Sequence, residues 1–258
     1  MTSPAQGKGH VSYDAATYWT SPARNFRSSA RLHLQHFSFQ NTLGYLLETH
    51  VHESSEEQKT AILPSTVELR TLDVLSAPLP QELIGAFDVV HVRAFASIIV
   101  NSNITPLLTA ALSLLKPGGW LQWEETKADR FLVQSPSPEI TSTACDTFSH
   151  ILKASGEARG LDAGFIEHLD KGLADLGFHE VYLTRTKKRE QDYKAWTEDY
   201  LMVFEELWVH FPSAADSPQA PMTRESWLDL FGKAVHETEQ GIAIHQDEII
   251  TAVGRKPL

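Results

Sequence analysis

The sequence FDVVHVR, from Phe87 to Arg93, and the sequence LLKPGGWLQWEE, residues 114–125, decide the fold of this 258-residue chain. The first is a nearly unbroken apolar run rich in β-branched residues, which predicts a strand buried on both faces of a parallel sheet. Between the two, Thr105 and Pro106 begin a helix, and its apolar stripe comprises Leu107, Leu108, Ala111, Leu112 and Leu115. KPGG ends that helix and turns the chain into a second strand, 120–124. The sequence therefore predicts a right-handed βαβ unit within an α/β fold.

Periodicity predicts further elements on either side of this unit. Upstream, we expect one helix or two short ones over 31–48 and a strand over 67–72. Downstream, the pattern predicts helices over 139–155, 165–176, 196–211 and 223–239, and strands over 178–186 and 249–254. The helix over 196–211 is the most aromatic stretch of the chain, with aromatic and leucine side chains at intervals of three and four.

Composition excludes several classes of partner. The formal net charge is −11, from 22 Lys and Arg against 33 Asp and Glu, which disfavours nucleic acid and anionic membranes as partners. The basic run at 185–189 is a local exception, which we interpret as a solvated strand end. Cys145 is the only cysteine, so a Cys-rich zinc site is excluded. The sequence has no apolar run of transmembrane length and no signal-peptide core at its start, so we expect a cytoplasmic protein.

Four stretches together resemble a known family. The two deciding stretches, RLHLQHFSFQNTLGYLL at 31–47 and AVGRKP at 252–257 resemble class I methyltransferases that use S-adenosylmethionine, and more narrowly the fungal LaeA-like group of secondary-metabolite pathways. This resemblance implies a truncated Rossmann-like methyltransferase fold: a mostly parallel sheet, helices on both faces and an added helical lid. The Gly, Ser and Pro content of residues 1–25 predicts a flexible leader, and the chain length fits a single domain over 26–258. Within that domain, 26–60 would form a helical cover and 190–240 the helical lid.

One part of the family pattern is missing from the sequence. Such domains hold the cofactor with a Gly-rich turn, which lets the backbone approach closely, and with a carboxylate that binds the ribose. Residues 45–84 contain no glycine at all. Asp73 matches the family's acidic position near the adenine, and its alternative role is that of a turn residue that accepts backbone N–H groups. We therefore expect no cofactor, and S-adenosylmethionine if the chain is active despite the missing turn.

Polar residues at the ends of the two deciding strands are candidates for chemistry, because open α/β sheets gather their active sites there. His91 is a candidate general base, Arg93 a candidate anion clamp, and Glu124 a candidate base or substrate anchor. The alternative is that all three are strand-end residues satisfied by their neighbours. Glu124 and Glu125 are adjacent on a strand and point to opposite faces, so they cannot act as a carboxylate pair.

Two aromatic residues are candidates for substrate binding, and no metal site is expected. Phe204 and Trp208 lie on the aromatic helix, which in the resembled family is close to the substrate pocket; their alternative role is ordinary core packing. His33 and His36 are three residues apart, but no paired carboxylate or cysteine accompanies them.

Three functional hypotheses follow. The first is a degenerate methyltransferase-like protein that acts as an accessory or non-methylating factor in secondary-metabolite biosynthesis. The second is an active S-adenosylmethionine-dependent methyltransferase on a small aromatic or polyketide-like metabolite. The third is a cofactor-free cyclase or isomerase that reuses the fold. In each case we expect a small-molecule metabolite or a pathway enzyme as partner.

Overall fold

The computed structural model describes residues 26–52, 72–75, 78–127 and 130–258. Its α-helices are α1 (Phe26–Leu43), α2 (Thr49–His52), α3 (Thr105–Leu114), α4 (Thr143–Ala158), α5 (Leu169–Asp175), α6 (Tyr193–Glu206) and α7 (Arg224–Glu239). Its strands are β1 (Phe87–Arg93), β2 (Leu115–Thr126), β3 (Leu132–Gln134), β4 (His179–Lys187), β5 (Ala243–His245) and β6 (Glu248–Arg255). Short 3₁₀ helices occupy Gln81–Leu83, Ala96–Ile98, Val100–Ser102, Ala163–His168, Glu190–Asp192 and Leu207–His210.

The main sheet has four strands in the order β1-β2-β6-β4. β1 and β2 are parallel, whereas β6 is antiparallel to both of its neighbours, β2 and β4. Three of the four strands therefore point the same way, and β6 is the exception. The predicted α/β class with a mostly parallel sheet is confirmed. A separate antiparallel pair, β3 and β5, lies beside α4 and α6.

Both faces of the sheet are covered. On one face, Leu121 and Trp123 of β2 pack with Ile250 of β6 against leucines of α3 and α5, which are Leu107, Leu108, Leu169 and Leu173. On the other face, Trp120 and Val253 pack against Leu47 and Val51 around α2. A second core, largely aromatic, joins α1, α4, α6 and α7 and contains Phe39, Phe148, Trp196, Phe204 and Trp227.

The prediction that the strand at Phe87 is buried on both faces of the sheet is wrong. In the sheet formed by the described residues, β1 is an edge strand, and Val92 is its one fully buried residue. β2 and β6 are almost continuously buried instead. The reason is that β6 inserts antiparallel between β2 and β4, which places β2 in the middle of the sheet.

The KPGG segment is part of β2 and forms a bulge against β1. Phe87 pairs with Leu115 and Val89 pairs with Trp120, so β2 advances five residues while β1 advances two. Gly118 has a φ of 78°, a backbone conformation that favours glycine. A Cβ on Gly119 would lie 2.9 Å from the carbonyl oxygen of Asp88. The glycines are therefore needed by the bulge, which is the local form that the predicted turn takes.

Most predicted helices and strands exist, with shifted ends. Thr105–Leu114 begins at the predicted residue, and the strand over 178–186 is β4. The aromatic helix begins at Tyr193 and continues as 3₁₀ helix beyond Glu206. The predicted strand over 67–72 and the leader over 1–25 lie essentially outside the described residues. Among the helices that are described, none is long and apolar enough to cross a membrane.

The central position of β6 can be tested with two matched substitutions. Val253 on β6 is 1% exposed, whereas Val90 on β1 is only partly buried. We expect Val253→Ala to lower the free energy of unfolding by about 2 kcal/mol, because it removes two buried carbons and leaves a cavity. Val90→Ala should cost less than about 1 kcal/mol. Urea unfolding measures both values, and an equal or larger loss for Val90→Ala would contradict the edge position of β1.

Candidate functional site

The carboxylate of Glu124 lies fully buried at the end of β2 and is surrounded by donors. The β1–β2 register places Arg93 opposite Glu124 and His91 opposite Gln122, so all four side chains share one face of the sheet. Arg93 donates from Nε to Glu124 Oε2 at 2.6 Å, and His91 Nε2 lies 3.2 Å from the same oxygen. Gln122 Nε2 donates to Oε1 at 2.5 Å. The structure thus brings together the three predicted catalytic residues.

Charge and hydrogen bonding keep Glu124 ionised. Burial alone would raise the pKa of Glu124, but the hydrogen bond and charge of His91 and the guanidinium of Arg93 outweigh burial and hold that pKa below its ordinary value. Arg93 also donates from Nη1 to His36 Nδ1 at 2.9 Å and lies over the ring of Phe39, 5.0 Å from its centroid. Burial, together with Arg93 and His91, lowers the pKa of His36, which favours the neutral acceptor form that this bond requires.

Gln122 fixes the chain between α1 and α2 onto the sheet. Its Nε2 donates to the carbonyl of Leu46 at 3.1 Å, and its Oε1 accepts from the backbone N–H of Glu48 at 2.7 Å. Nearby, the hydroxyl groups of Tyr45 and Thr251 are 3.4 Å apart. The side of the sheet that bears His91, Arg93 and Glu124 is therefore covered by the N-terminal segment through a buried polar network.

Glu125 points to the opposite face and holds the loop after β1. Its Oε1 accepts from the backbone N–H groups of Phe95 and Ala96, at 2.5 and 3.0 Å, and from Trp123 Nε1 at 2.8 Å. The loop starts at Ala94, which has a φ of 56°, an uncommon conformation for a residue with a side chain. Burial raises the pKa of Glu125 to about 7 even though three N–H groups favour its charged form.

The other predicted site residues lie elsewhere. Asp73 is exposed, and its Oδ1 accepts the N–H of Leu75 at 3.0 Å. Phe204 is buried in the aromatic core, stacked on Phe148 with centroids 4.8 Å apart. Trp208 is half-buried on the following 3₁₀ helix, where the guanidinium of Arg224 lies 4.8 Å from its ring centroid. These contacts join the three residues to Leu75, Phe148 and Arg224, and none of these belongs to the Glu124 network.

Sequence reasoning missed a second buried polar cluster beneath α6. It consists of Lys188, Tyr200, Gln246, Asp199 and His245, all almost completely buried. The basic run at 185–189 had suggested a solvated strand end, yet Lys188 is 4% exposed. One signal was available in the sequence. Asp199 interrupts the aromatic stripe next to Tyr200, and a carboxylate on an apolar helix face needs a partner or a function.

The chain resembles several proteins over part of its length. The methyltransferase psoC of Aspergillus fumigatus is 39% identical over 105 residues, which are 40% of this chain and 35% of that protein. The methyltransferase grgD of a Penicillium species is 27% identical over 85 residues, 33% of this chain and 28% of that protein. The N-methyltransferase verN of Clonostachys rogersoniana is 38% identical over 76 residues, 30% and 26% of the two chains. These relatives are fungal methyltransferases.

The similarity to these relatives and to solved structures is limited in extent. The matched segments span between 26% and 35% of the relatives' lengths. The [4+2]-cyclase SpnF superimposes with a TM-score of 0.37 at 19% identity, over 73% of this chain and 56% of that one. A phosphoethanolamine N-methyltransferase of Haemonchus contortus superimposes with a TM-score of 0.32 at 13% identity, over 68% of this chain and 34% of that one. TM-scores this low bear on neither function nor mechanism. No protein-family profile matches the chain.

The buried ion pair predicts a large effect of removing its carboxylate. We expect Glu124→Leu to lower the free energy of unfolding by about 3–5 kcal/mol, because Arg93 would keep its charge without the partner that compensates it. Adding Arg93→Met should recover most of that loss. As a control, Asp88→Ala breaks the exposed pair with Lys116 and should cost about 1 kcal/mol or less. Urea unfolding of the wild type and the three variants gives the values, and a Glu124→Leu loss no larger than that of the control would refute the assignment.

The raised pKa of Glu125 predicts a pH dependence of stability. The ordinary value is 4.5 and the folded value about 7, so between these values the folded state binds more protons than the unfolded state. The free energy of unfolding should therefore fall as pH rises through this window, by up to about 3 kcal/mol relative to Glu125→Gln. Chemical unfolding from about pH 5 to about pH 8 measures the difference. As a control, Glu82→Gln changes an exposed carboxylate, and its free energy of unfolding should depend on pH as that of the wild type does. If Glu125→Gln showed the same pH dependence as the wild type, the raised pKa of Glu125 would be contradicted.

Proposed function

We propose that this chain is a methyltransferase-like protein of LaeA-like type that does not use S-adenosylmethionine and acts as an accessory or non-methylating factor in secondary-metabolite biosynthesis. The observation that carries the proposal is that the carboxylates at the end of β2 are buried and already hydrogen-bonded, at the edge of the sheet where cofactors of α/β domains bind. The carboxylates of Glu124 and Glu125 are 0% and 1% exposed and are already engaged by the protein's own donors. Neither is accessible to a ribose hydroxyl.

The sequence supports the same conclusion. A nucleotide-like cofactor needs glycines where the backbone approaches it, and residues 45–84 have none. At the described end of β1, the loop residue with positive φ is Ala94 rather than glycine, and the N–H groups that follow it are bound by Glu125. The residues described at this end of the sheet therefore do not fit S-adenosylmethionine, and we derive no methyl-transfer step for them.

The residues beside the buried pair offer an anchor for a polar group of a metabolite. His91 is the most accessible member of the network, with a side chain 25% exposed, and Arg93 supplies a fixed positive charge behind it. We propose that these two residues orient an acidic or hydroxyl group and that Glu124 holds them in place. The net charge of −11 favours a small metabolite or a pathway enzyme over nucleic acid as partner.

An active methyltransferase is the second candidate, because the three relatives are named methyltransferases and one an N-methyltransferase. In that case Asp73 would face the adenine, as the family resemblance implies. Its exposed position leaves it accessible to a ligand.

Calorimetric titration with S-adenosylmethionine and S-adenosylhomocysteine separates the two candidates. We expect no saturable binding tighter than about 10 μM, a binding free energy of roughly 7 kcal/mol, because few of the usual contacts remain. A working methyltransferase titrated alongside provides the positive control. One-to-one binding with a dissociation constant below about 10 μM would overturn the proposal. If Asp73→Asn also weakened that binding at least about tenfold, the result would support the active enzyme.

A further inference from the structure

Lys188 is the only buried lysine among the described residues, and it lies immediately after β4. Its Nζ donates to the hydroxyl of Tyr200 and to Oε1 of Gln246, both at 3.2 Å. The same nitrogen lies 3.4 Å from the ring centroid of Trp196. The backbone N–H of Lys188 donates to the carbonyl of Asp247 at 2.9 Å, which anchors the residue where the chain leaves the sheet.

The amine of Lys188 has no carboxylate within ion-pair distance among the described residues. Other lysines do: Lys116 pairs with Asp88, and Lys127 pairs with Glu167 and Glu248. A buried ammonium without a carboxylate is costly, so such a group releases its proton. Burial accordingly holds the pKa of Lys188 well below its ordinary value, although Asp199 and Asp247 act in the opposite direction. Two hydrogen-bond acceptors match the two N–H bonds of a neutral amine.

Two groups beside the amine are able to exchange protons. Asp199 is fully buried, its Oδ2 accepts from Gln35 at 3.4 Å, and its Oδ1 has no hydrogen-bond partner among the described residues. Burial raises the pKa of Asp199 to about 7, against the charge of Arg31 and the hydrogen bond of Gln35. Burial lowers the pKa of His245, although the backbone of Gln246 acts in the opposite direction.

We propose that Lys188 is a nucleophilic amine that binds a carbonyl compound, an aldehyde or ketone, as a covalent imine. The Nζ lone pair attacks the carbonyl carbon, a carbinolamine forms, and loss of one water molecule gives the C=N bond; no oxidant or reductant is required. The hydroxyl of Tyr200 accepts from the amine and donates to Oε1 of Gln246, and it carries the proton that the departing hydroxyl would take up. The amine lies against the rings of Trp196 and Tyr200, and the ring of Phe131 packs on Tyr200 with centroids 5.0 Å apart. Such an aromatic wall suits an aromatic or a β-dicarbonyl compound.

A route to the amine is suggested by Tyr193. This residue is half-buried and stacks on His245 with ring centroids 3.8 Å apart, so it separates the inner part of the cluster from solvent. A rotation of one side chain is a smaller change than the movement of a helix. The proposed site shares no residue with the Glu124 network, so it stands or falls independently of whether the chain binds S-adenosylmethionine.

The test uses 2,4-pentanedione, which condenses with a neutral amine to a stable enaminone and releases water. A lysine of ordinary pKa is only about one part in a thousand neutral near pH 7.4, so exposed lysines react slowly there. We expect the native full chain to gain one adduct, located by peptide mass spectrometry at Lys188, at least about tenfold faster than at the neighbouring, exposed Lys187. An excess of an aromatic aldehyde should compete with this labelling.

Variants separate chemistry from folding. Lys188→Met removes the amine but keeps the buried chain length, and we expect it to remain folded by thermal unfolding and to lose the adduct. Lys187→Met should keep it. Tyr200→Phe should retain the site and slow the reaction several-fold. Labelling that follows exposure over the surface lysines, or a native chain in which Lys188 stays unmodified, would overturn the proposal, and the wild-type measurement decides this even if a variant fails to fold.

Discussion

The buried carboxylate of Glu124 is the constraint on which the arrangement of the strand ends depends. A charge removed from water is tolerated only when it is paired and hydrogen-bonded. Arg93 from β1 and Gln122 from β2 meet that need, and each makes a second contact that reaches further. Arg93 bonds His36 of α1, and Gln122 bonds the backbone on both sides of Leu47. The position of the N-terminal helices thus follows from the need to compensate one carboxylate.

The fold could be predicted from sequence where the determinants are local. Thr105 and Pro106 are consecutive residues that start α3, and its leucine stripe lies within ten residues of them. The position of β1 was not predictable in the same way, because an apolar run reports that a strand is buried but not which strand lies beside it. The insertion of β6 between β2 and β4 depends on residues more than sixty positions apart along the chain. The bulge at Gly118 and Gly119 likewise depends on the opposing strand, so KPGG alone predicted only a turn.

The candidate site likewise contains residues that could be predicted from local sequence and residues that could not. His91, Arg93 and Glu124 could be proposed together because alternation and a parallel pairing place them on one face at one end of the sheet. Phe204 and Trp208 share a stripe in sequence, yet the helix changes to 3₁₀ form after Glu206, and only Phe204 enters the core. The burial of Lys188 could not be predicted from its neighbours in sequence. It sits in a run of basic residues, and its burial comes from Trp196 and Gln246, which lie on other elements.

Arg93 and Lys188 show how residue type decides what a site can do. Arginine cannot lose its proton in a protein, so a buried Arg93 requires a carboxylate, and the pair it forms with Glu124 is closed and charged. Lysine can lose its proton, so Lys188 is stable beside a phenol, an amide and an indole without any carboxylate at contact distance. A guanidinium held in this way orients ligands but does not react with them, whereas a neutral amine is a nucleophile. If the protein carries out covalent chemistry, the cluster beneath α6 is therefore a better place for it than the strand ends, where this fold ordinarily places its active site.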